Sequence, residues 1–314
     1  MIRVGALDCG TNSIRLLIAD VDAATGELVD VVRRNEVVRL GQGVDRTGRI
    51  AAEAMARTMR VTAEYAGVCR EQGVERVRFV ATSATRDAEN RAEFVAGVRD
   101  LLGVEPEVIE GAEEASLSFD GATRELLADG QTGPFVVVDI GGGSTEVVRG
   151  SRGVEASRSV DVGSVRLTER HLAGDPPSEP EVLAARTDVE EALDEVEEVV
   201  PLAGAGTLVG LAGSVTTVMA CALDLARYDP AAIHRSRLPV TEVRDACDRL
   251  LGMSRAQRAA LPYMHPGRVD VIGAGALVWW AVIDRLVERS NITHVMVSEH
   301  DILDGIAFSI ASSE

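Results

Sequence analysis

Short runs of consecutive apolar residues alternate along this chain with longer stretches in which apolar positions recur every three to four residues. The two periods predict strands and helices respectively. Near the start, Val4–Leu7 and Ile14–Val21 read as strands around the polar loop Asp8-Cys9-Gly10-Thr11-Asn12-Ser13. The same order returns downstream: Phe135–Val138 is an apolar run, Asp139-Ile140-Gly141-Gly142-Gly143-Ser144-Thr145 a loop, and Glu146-Val147-Val148 opens another strand. Asp8 and Asp139 are 131 residues apart. The chain therefore reads as two half-molecules, each opening with strand, Asp-x-Gly loop, strand.

Between the two loops, the spacing predicts helices over Ile50–Gln72, Asn90–Leu102 and Glu113–Leu127, with strands at Val77–Ala81 and Glu107–Ile109. Alternation of this kind indicates an α/β fold. The turn-rich stretch Ala128–Pro134 is the expected boundary, giving domains 1–127, completed by a C-terminal helix 301–314, and 128–300. In the second half, the acidic segment Glu179–Glu198 reads as a solvated helical face and Leu208–Leu211 as a strand. That strand enters Ala212-Gly213-Ser214-Val215-Thr216-Thr217 and a helix to about Ala226. Arg268–Val287 reads as a long helix with an apolar centre, which gives Trp279 and Trp280 packing roles, and Thr293–Val297 as a last strand. Gly41–Gly48 reads as a flexible loop.

Charge narrows the function. Fifty acidic residues face 32 basic ones, a net charge of −18, and the basic residues are all Arg because the chain has no Lys. A P-loop lysine and a Schiff-base lysine are thereby excluded. The average field repels nucleic acid and membrane phosphates, so a phosphate ligand must be held by local donors. The four cysteines, Cys9, Cys69, Cys221 and Cys247, form no CxxC pair and have no His at ligand spacing, which suggests neither zinc nor disulfides. Asp8 interrupts any secretory signal, and the longest uncharged apolar run, Val271–Ile283, is too short to span a bilayer. A soluble protein of the reducing cytoplasm is expected.

Backbone N–H groups in a tight Gly/Ser/Thr turn converge on an anion, and glycine lets the backbone approach it without a Cβ. The candidate phosphate contacts are Gly10, Thr11, Asn12 and Ser13 in the first loop and Gly141, Gly142, Gly143, Ser144 and Thr145 in the second. Carboxylates at the strand ends suit a hydrated Mg²⁺, which takes one or two carboxylates and keeps its waters; Asp8, Asp139 and Glu146 are the candidates. No His is placed by sequence to activate Ser13, Ser144 or Thr145 as nucleophiles, so phosphate hydrogen bonding is the preferred role. Cys9 reads as a small loop residue, and the His300-Asp301 dyad as chance.

These motifs occur in order with Ala81–Asn90, Ile109–Ala115, Gly163–Arg166, Gly210–Thr217, Arg268–Gly275 and Ser298–Gly305. Together they resemble the exopolyphosphatase and guanosine pentaphosphate phosphatase family over nearly the whole chain. The resemblance implies two actin-like (ribonuclease H-like) α/β domains flanking a phosphate-binding cleft. It implies Mg²⁺-dependent removal of terminal phosphate from polyphosphate or from guanosine pentaphosphate, a homodimer, and a monovalent cation such as K⁺ as a further cofactor.

Hydrolysis of a phosphoanhydride needs a positioned water and cationic donors for the phosphoryl oxygens. Acidic residues in a first helical turn favour the macrodipole, a reading that position alone gives to both Glu113 and Glu114. The resemblance selects Glu114 as the water-activating carboxylate and Arg86 as the arginine that meets phosphate, with Arg166, Gly213 and Ser214 as further phosphate contacts. The expected function is exopolyphosphatase. Guanosine pentaphosphate hydrolysis and a non-catalytic actin-like nucleotide binder are the alternatives. The chain stops nine residues beyond Gly305, where longer relatives continue, so distributive action on short polyphosphate is expected.

Overall fold

The computed structural model describes residues 1–312; Ser313 and Glu314, at the end of the expected 301–314 segment, lie outside the described residues. The chain forms two compact units, one of Met1–Gly121 with the helix that begins at Ile302, the other of Ala122–Asp301. The turn-rich 128–134 stretch falls inside the second unit.

Unit 1 runs β1 (Ile2–Cys9), β2 (Ser13–Asp22), β3 (Glu27–Val37), α1 (Val44–Thr47), α2 (Ala52–Glu71), β4 (Arg76–Ala81), α3 (Ser83–Asp87), α4 (Arg91–Leu102), β5 (Glu107–Val108) and α5 (Gly111–Ala128), whose last residues belong to unit 2. Its sheet has the order β3-β2-β1-β4-β5, with β1, β4 and β5 parallel and β1, β2 and β3 antiparallel. The strands are apolar on both faces because both faces are covered. On one face Leu7, Cys9, Ile14, Leu16 and Ile18 pack with Tyr65 and Phe94 from α2 and α4. On the other, Val4, Ala6, Leu17 and Val21 pack with Leu117 and with Ile302, Leu303 and Ile306. Asp8 is a strand residue, paired across the hairpin with Arg15, so the loop proper shrinks to Gly10–Asn12. The segment expected as a flexible loop contains the single turn α1.

Unit 2 continues with β6 (Phe135–Ile140), β7 (Thr145–Gly150), β8 (Val154–Val160), α6 (Ser164–His171), α7 (Glu179–Glu197), β9 (Thr207–Leu211), α8 (Ala212–Ala222), α9 (Pro230–Ile233), β10 (Arg237–Pro239), α10 (Val240–Gly252), α11 (Arg255–Ala259), α12 (Ile272–Arg289) and β11 (His294–Val297). The sheet order is β10-β11-β9-β6-β7-β8, with β11, β9 and β6 parallel. Asp139 also lies within its strand, β6, opposite Glu146 of β7. Two helices are shorter than expected. α8 stops at Ala222 because Asp224 takes a left-handed φ of 50°, and α12 starts at Ile272 because Pro266–Arg268 forms a separate 3₁₀ turn. The acidic α7 is solvated on one side only; Ala185, Val189, Leu193 and Val196 enter the core. Its Glu190 and Asp194 accept from the buried Arg285 of α12 at 2.7 and 2.8 Å. Trp279 is fully buried, while Trp280 is capped by the guanidinium groups of Arg186 and Arg244.

α13 (Ile302–Ser312) closes unit 1. Its Asp304 is 1% exposed and accepts from both terminal nitrogens of Arg33 on β3, at 2.6 and 3.2 Å. Removing one partner of a buried ion pair leaves the other's desolvation uncompensated. Because Arg33 is 32% exposed and keeps Asp30 at 2.7 Å, Asp304→Ala is expected to lower unfolding free energy by about 2 kcal/mol, read as a fall in the denaturant midpoint. An unchanged midpoint would show that the pair contributes nothing to docking α13.

Candidate active site

In unit 1 the chemistry collects at the carboxyl ends of the parallel strands β1, β4 and β5, where open α/β sheets bind ligands. The Thr82 amide donates to the Cys9 carbonyl at 3.2 Å and the Ile109 amide to the Ala81 carbonyl at 3.1 Å, which holds the three strand ends side by side. In the β1–β2 turn, the Gly10 amide donates to the Ser13 carbonyl at 2.9 Å. The carbonyls of Thr11 and Asn12 are taken by the amides of Gly41, Val38 and Arg39. The amides of Thr11 and Asn12 have no protein acceptor among the described residues, so the turn presents donors on one side. Asp8 is buried and its Oδ2 accepts from Arg15 Nε and Nη2 at 2.9 and 2.7 Å. Burial, with the neighbouring Asp8 charge adding, pushes the Cys9 thiol well above its usual range, so Cys9 offers no thiolate.

Glu113 and Glu114, adjacent in the first turn of α5, go to different environments. Glu113 points outward to Arg78 at 2.6 Å, with its side chain 48% exposed. Glu114 is buried, and its Oε2 accepts from Arg86 Nη1 at 3.2 Å. The same Nη1 donates to the Ile109 carbonyl at 2.9 Å, which fixes the guanidinium plane. Arg86 Nε and Nη2 have no protein acceptor among the described residues and so remain available to an anion.

Unit 2 repeats the turn. The Gly141 amide donates to the Ser144 carbonyl at 3.0 Å, the counterpart of Gly10 and Ser13 at the same 131-residue offset. Here the loop carbonyls are taken by α6: the Ser164 amide donates to Gly141 O at 3.0 Å, those of Val165 and Arg166 to Gly142 O at 2.8 and 3.1 Å, and Arg166 Nε to Gly143 O at 2.8 Å. Arg166 thus secures the loop from behind. The amides of Gly142 and Gly143 have no protein acceptor among the described residues. Beside this turn, β9 passes into α8 through Ala212 at φ 65°, placing Gly213 and Ser214 at the helix N-terminus. Arg268 lies flat against Gly213, where a Cβ would meet its guanidinium within 2.2–2.5 Å, and its Nη1 donates to Thr217 Oγ1 at 3.3 Å.

Two carboxylates of unit 2 could hold a cation together. Asp139 and Glu146 are 7% and 1% exposed and directly opposite each other across the antiparallel β6–β7 pair. Two buried carboxylates in that relation repel unless positive charge or hydrogen-bond donors offset them. Glu146 Oε1 also accepts from Ser159 Oγ at 2.7 Å. Oxygen-only donors of this kind fit Mg²⁺. Asp8, by contrast, already has Arg15 as its cation. Arg15 lies just beyond the Asp8–Ser13 motif and Arg268 opens Arg268–Gly275, but among 32 arginines neither carries a local signal that sets it apart.

Residues 17–309 match the Ppx/GppA phosphatase family. The chain belongs to that family. Exopolyphosphatase 2 of Mycobacterium tuberculosis is 56% identical over 318 residues, covering 99% of both chains. A crystal structure of an exopolyphosphatase-like protein superposes with a TM-score of 0.94 at 44% identity, covering 99% of each chain. The Aquifex aeolicus member of the Ppx/GppA family gives 0.80 at 30% identity over 98% of this chain and 97% of its own. The α/β fold with two sheets is thus that of the Ppx/GppA family, as the motif resemblance implies.

The glycine at 163 follows from the same packing. A Cβ there would lie 2.6 Å from the Gly142 carbonyl carbon and oxygen and 2.7 Å from that of Gly143. Gly163→Ala is expected to push the triple-glycine loop out of place and reduce turnover at least tenfold while the protein stays folded. Parent-like kinetics would show that the loop tolerates displacement.

Proposed function

We propose that this chain is an exopolyphosphatase that releases terminal orthophosphate from inorganic polyphosphate by Mg²⁺-assisted water attack. The observation that carries the reading is the buried Glu114 held by Arg86, whose remaining donors are unclaimed, at the strand ends that also carry the Gly10–Ser13 turn. Likeness to exopolyphosphatase 2 supports polyphosphate as the substrate.

Arg86 Nε and Nη2 and the turn amides hydrogen-bond the nonbridging phosphate oxygens. Glu114 orients the attacking water and receives its proton as the new P–O bond forms. The bond from phosphorus to the bridging oxygen breaks, and that oxygen becomes the terminus of the shortened chain. Asp139 and Glu146 would hold Mg²⁺, which supplies charge to the developing oxyanions. The Gly141–Thr145 turn, Gly213 and Ser214 add donors, Arg166 acts through the loop, and Asp8 serves as the partner that orients Arg15 or as a further metal contact. The same proposal includes a reducing cytoplasmic setting, which the four buried free cysteines suit, a homodimer, and a monovalent cation such as K⁺. Among the described residues no helix is long and apolar enough to cross a membrane.

The deciding assay is phosphate release by the purified protein from polyphosphate of two lengths, guanosine pentaphosphate and ATP in parallel with Mg²⁺. Polyphosphate is expected to be the fastest. Faster release from guanosine pentaphosphate would transfer the activity to that substrate, and no release from any would leave a binding protein.

Glu114→Gln keeps the shape and removes the base, so kcat is expected to fall roughly 10²–10⁴-fold with substrate binding largely kept. Glu113→Gln, altering the outward-facing neighbour, serves as the contrast and should retain parent turnover. Equal effects at the two positions would remove the assignment. Asp139→Asn and Glu146→Gln are expected to raise the Mg²⁺ concentration needed for half-maximal rate; titration curves that overlay the parent would place the metal elsewhere.

A further inference from the structure

Folding of unit 2 brings together three side chains that no sequence spacing connects. Glu125 lies near the end of α5, His234 follows α9, and His300 lies in the loop after β11. Glu125 Oε2 is 2.8 Å from His234 Nε2, and Glu125 Oε1 is 3.3 Å from His300 Nδ1. The two imidazole rings have centroids 4.4 Å apart, and one ligand atom from each of the three residues lies within 4.8 Å of the others. All three side chains are partly exposed, so an ion has access.

We propose that Glu125, His234 and His300 form a binding site for a divalent transition-metal ion of the zinc class, separate from the oxygen-only carboxylates expected to hold Mg²⁺. Two imidazoles and one carboxylate are a donor set for Zn²⁺, Co²⁺ or Ni²⁺, whereas Mg²⁺ prefers oxygen and water. At metal–ligand bonds near 2.0–2.1 Å, the ligand atoms of a tetrahedral site stand about 3.3 Å apart. The 2.8 and 3.3 Å separations, each to a different Glu125 oxygen, lie at or below that value, and with one ligand atom of each residue within 4.8 Å of the others, shifts on the order of 1–2 Å complete the site. Three protein ligands leave a fourth position for water.

One hydrogen bond gives the site a signature. The Glu299 amide donates to His234 Nδ1 at 3.2 Å, which puts the proton of the neutral ring on Nε2, facing Glu125. A metal entering at Nε2 replaces that proton, so the ring must carry its proton on Nδ1 and the Glu299 amide must let go. Losing one neutral hydrogen bond weakens binding about tenfold relative to a site already in the ligating tautomer. Glu299 in turn accepts from the Tyr228 hydroxyl at 2.6 Å, and the hydroxyls of Tyr228 and Thr216 in α8 lie 2.8 Å apart.

The test uses the full chain in excess Mg²⁺, so that carboxylate-only sites are filled. Zn²⁺ retained after gel filtration is measured by elemental analysis, and Co²⁺ binding by its visible absorption bands. One equivalent of Zn²⁺ and a Co²⁺ spectrum with nitrogen ligands are expected. Amide exchange at Glu299 should speed up on Zn²⁺ addition. His234→Gln and His300→Asn, each checked for folding by near-ultraviolet circular dichroism, should each weaken Zn²⁺ binding more than about a hundredfold. Binding that survives in both folded variants, or a parent chain that retains no Zn²⁺, overturns the proposal. So does bound Zn²⁺ that leaves Glu299 exchange unchanged, because the ion then sits elsewhere or the cluster holds only protons.

Discussion

The direction of the carbonyl groups in the Gly141–Ser144 turn is the constraint on which the donor face of unit 2 depends. Once α6 supplies its first-turn amides and Arg166 supplies Nε to those carbonyls, the amides of Gly142 and Gly143 are left on the other side. The donor face is thus produced by satisfying acceptors behind it. The arrangement requires backbone against backbone, which is why residue 163 has no room for a Cβ. It also places Arg166 behind the loop, where its guanidinium supports the turn through the Gly143 carbonyl.

The two half-molecules repeat a turn but not its electrostatics. Gly10 and Ser13 close the first turn as Gly141 and Ser144 close the second, and both leave two central amides without a protein acceptor among the described residues. One register position separates them in charge. Opposite Asp8 the chain has Arg15, an internal cation; opposite Asp139 it has Glu146, a second carboxylate. The first pair joins opposite charges, while the second sets two buried carboxylates side by side, with the Ser159 hydroxyl donating to Glu146. A repeated turn thereby carries an arginine opposite the strand-end aspartate in one half and a glutamate in the other.

Most elements legible in the sequence bury a face, but burial alone does not make an element legible: α10 buries Val243, Ala246, Cys247 and Leu250 and is not among them. β1, β2, β4, β6 and β9 and the helices α2, α4, α5 and α12 carry apolar runs or helical spacing because the core demands it. The edge strands β3 and β8 went unread because they bury little, and their exposed positions carry charges on both faces. The boundaries of α8 and α12 moved for local reasons, a left-handed Asp224 and a separate turn at Pro266–Arg268, which periodicity does not register.

By itself the sequence determined the α/β alternation, the repeated Asp-x-Gly turns, the absence of lysine chemistry and the family to which the motifs belong. These are properties of local pattern and of ordered short motifs, which survive without coordinates. Only the tertiary structure decided that Glu114 turns inward to Arg86 while Glu113 turns out to Arg78, that Asp8 is claimed by Arg15, and that Glu125, His234 and His300 meet. Each of these depends on which side chains long-range packing makes neighbours, and the distance between charges in space has no counterpart in their spacing along the chain.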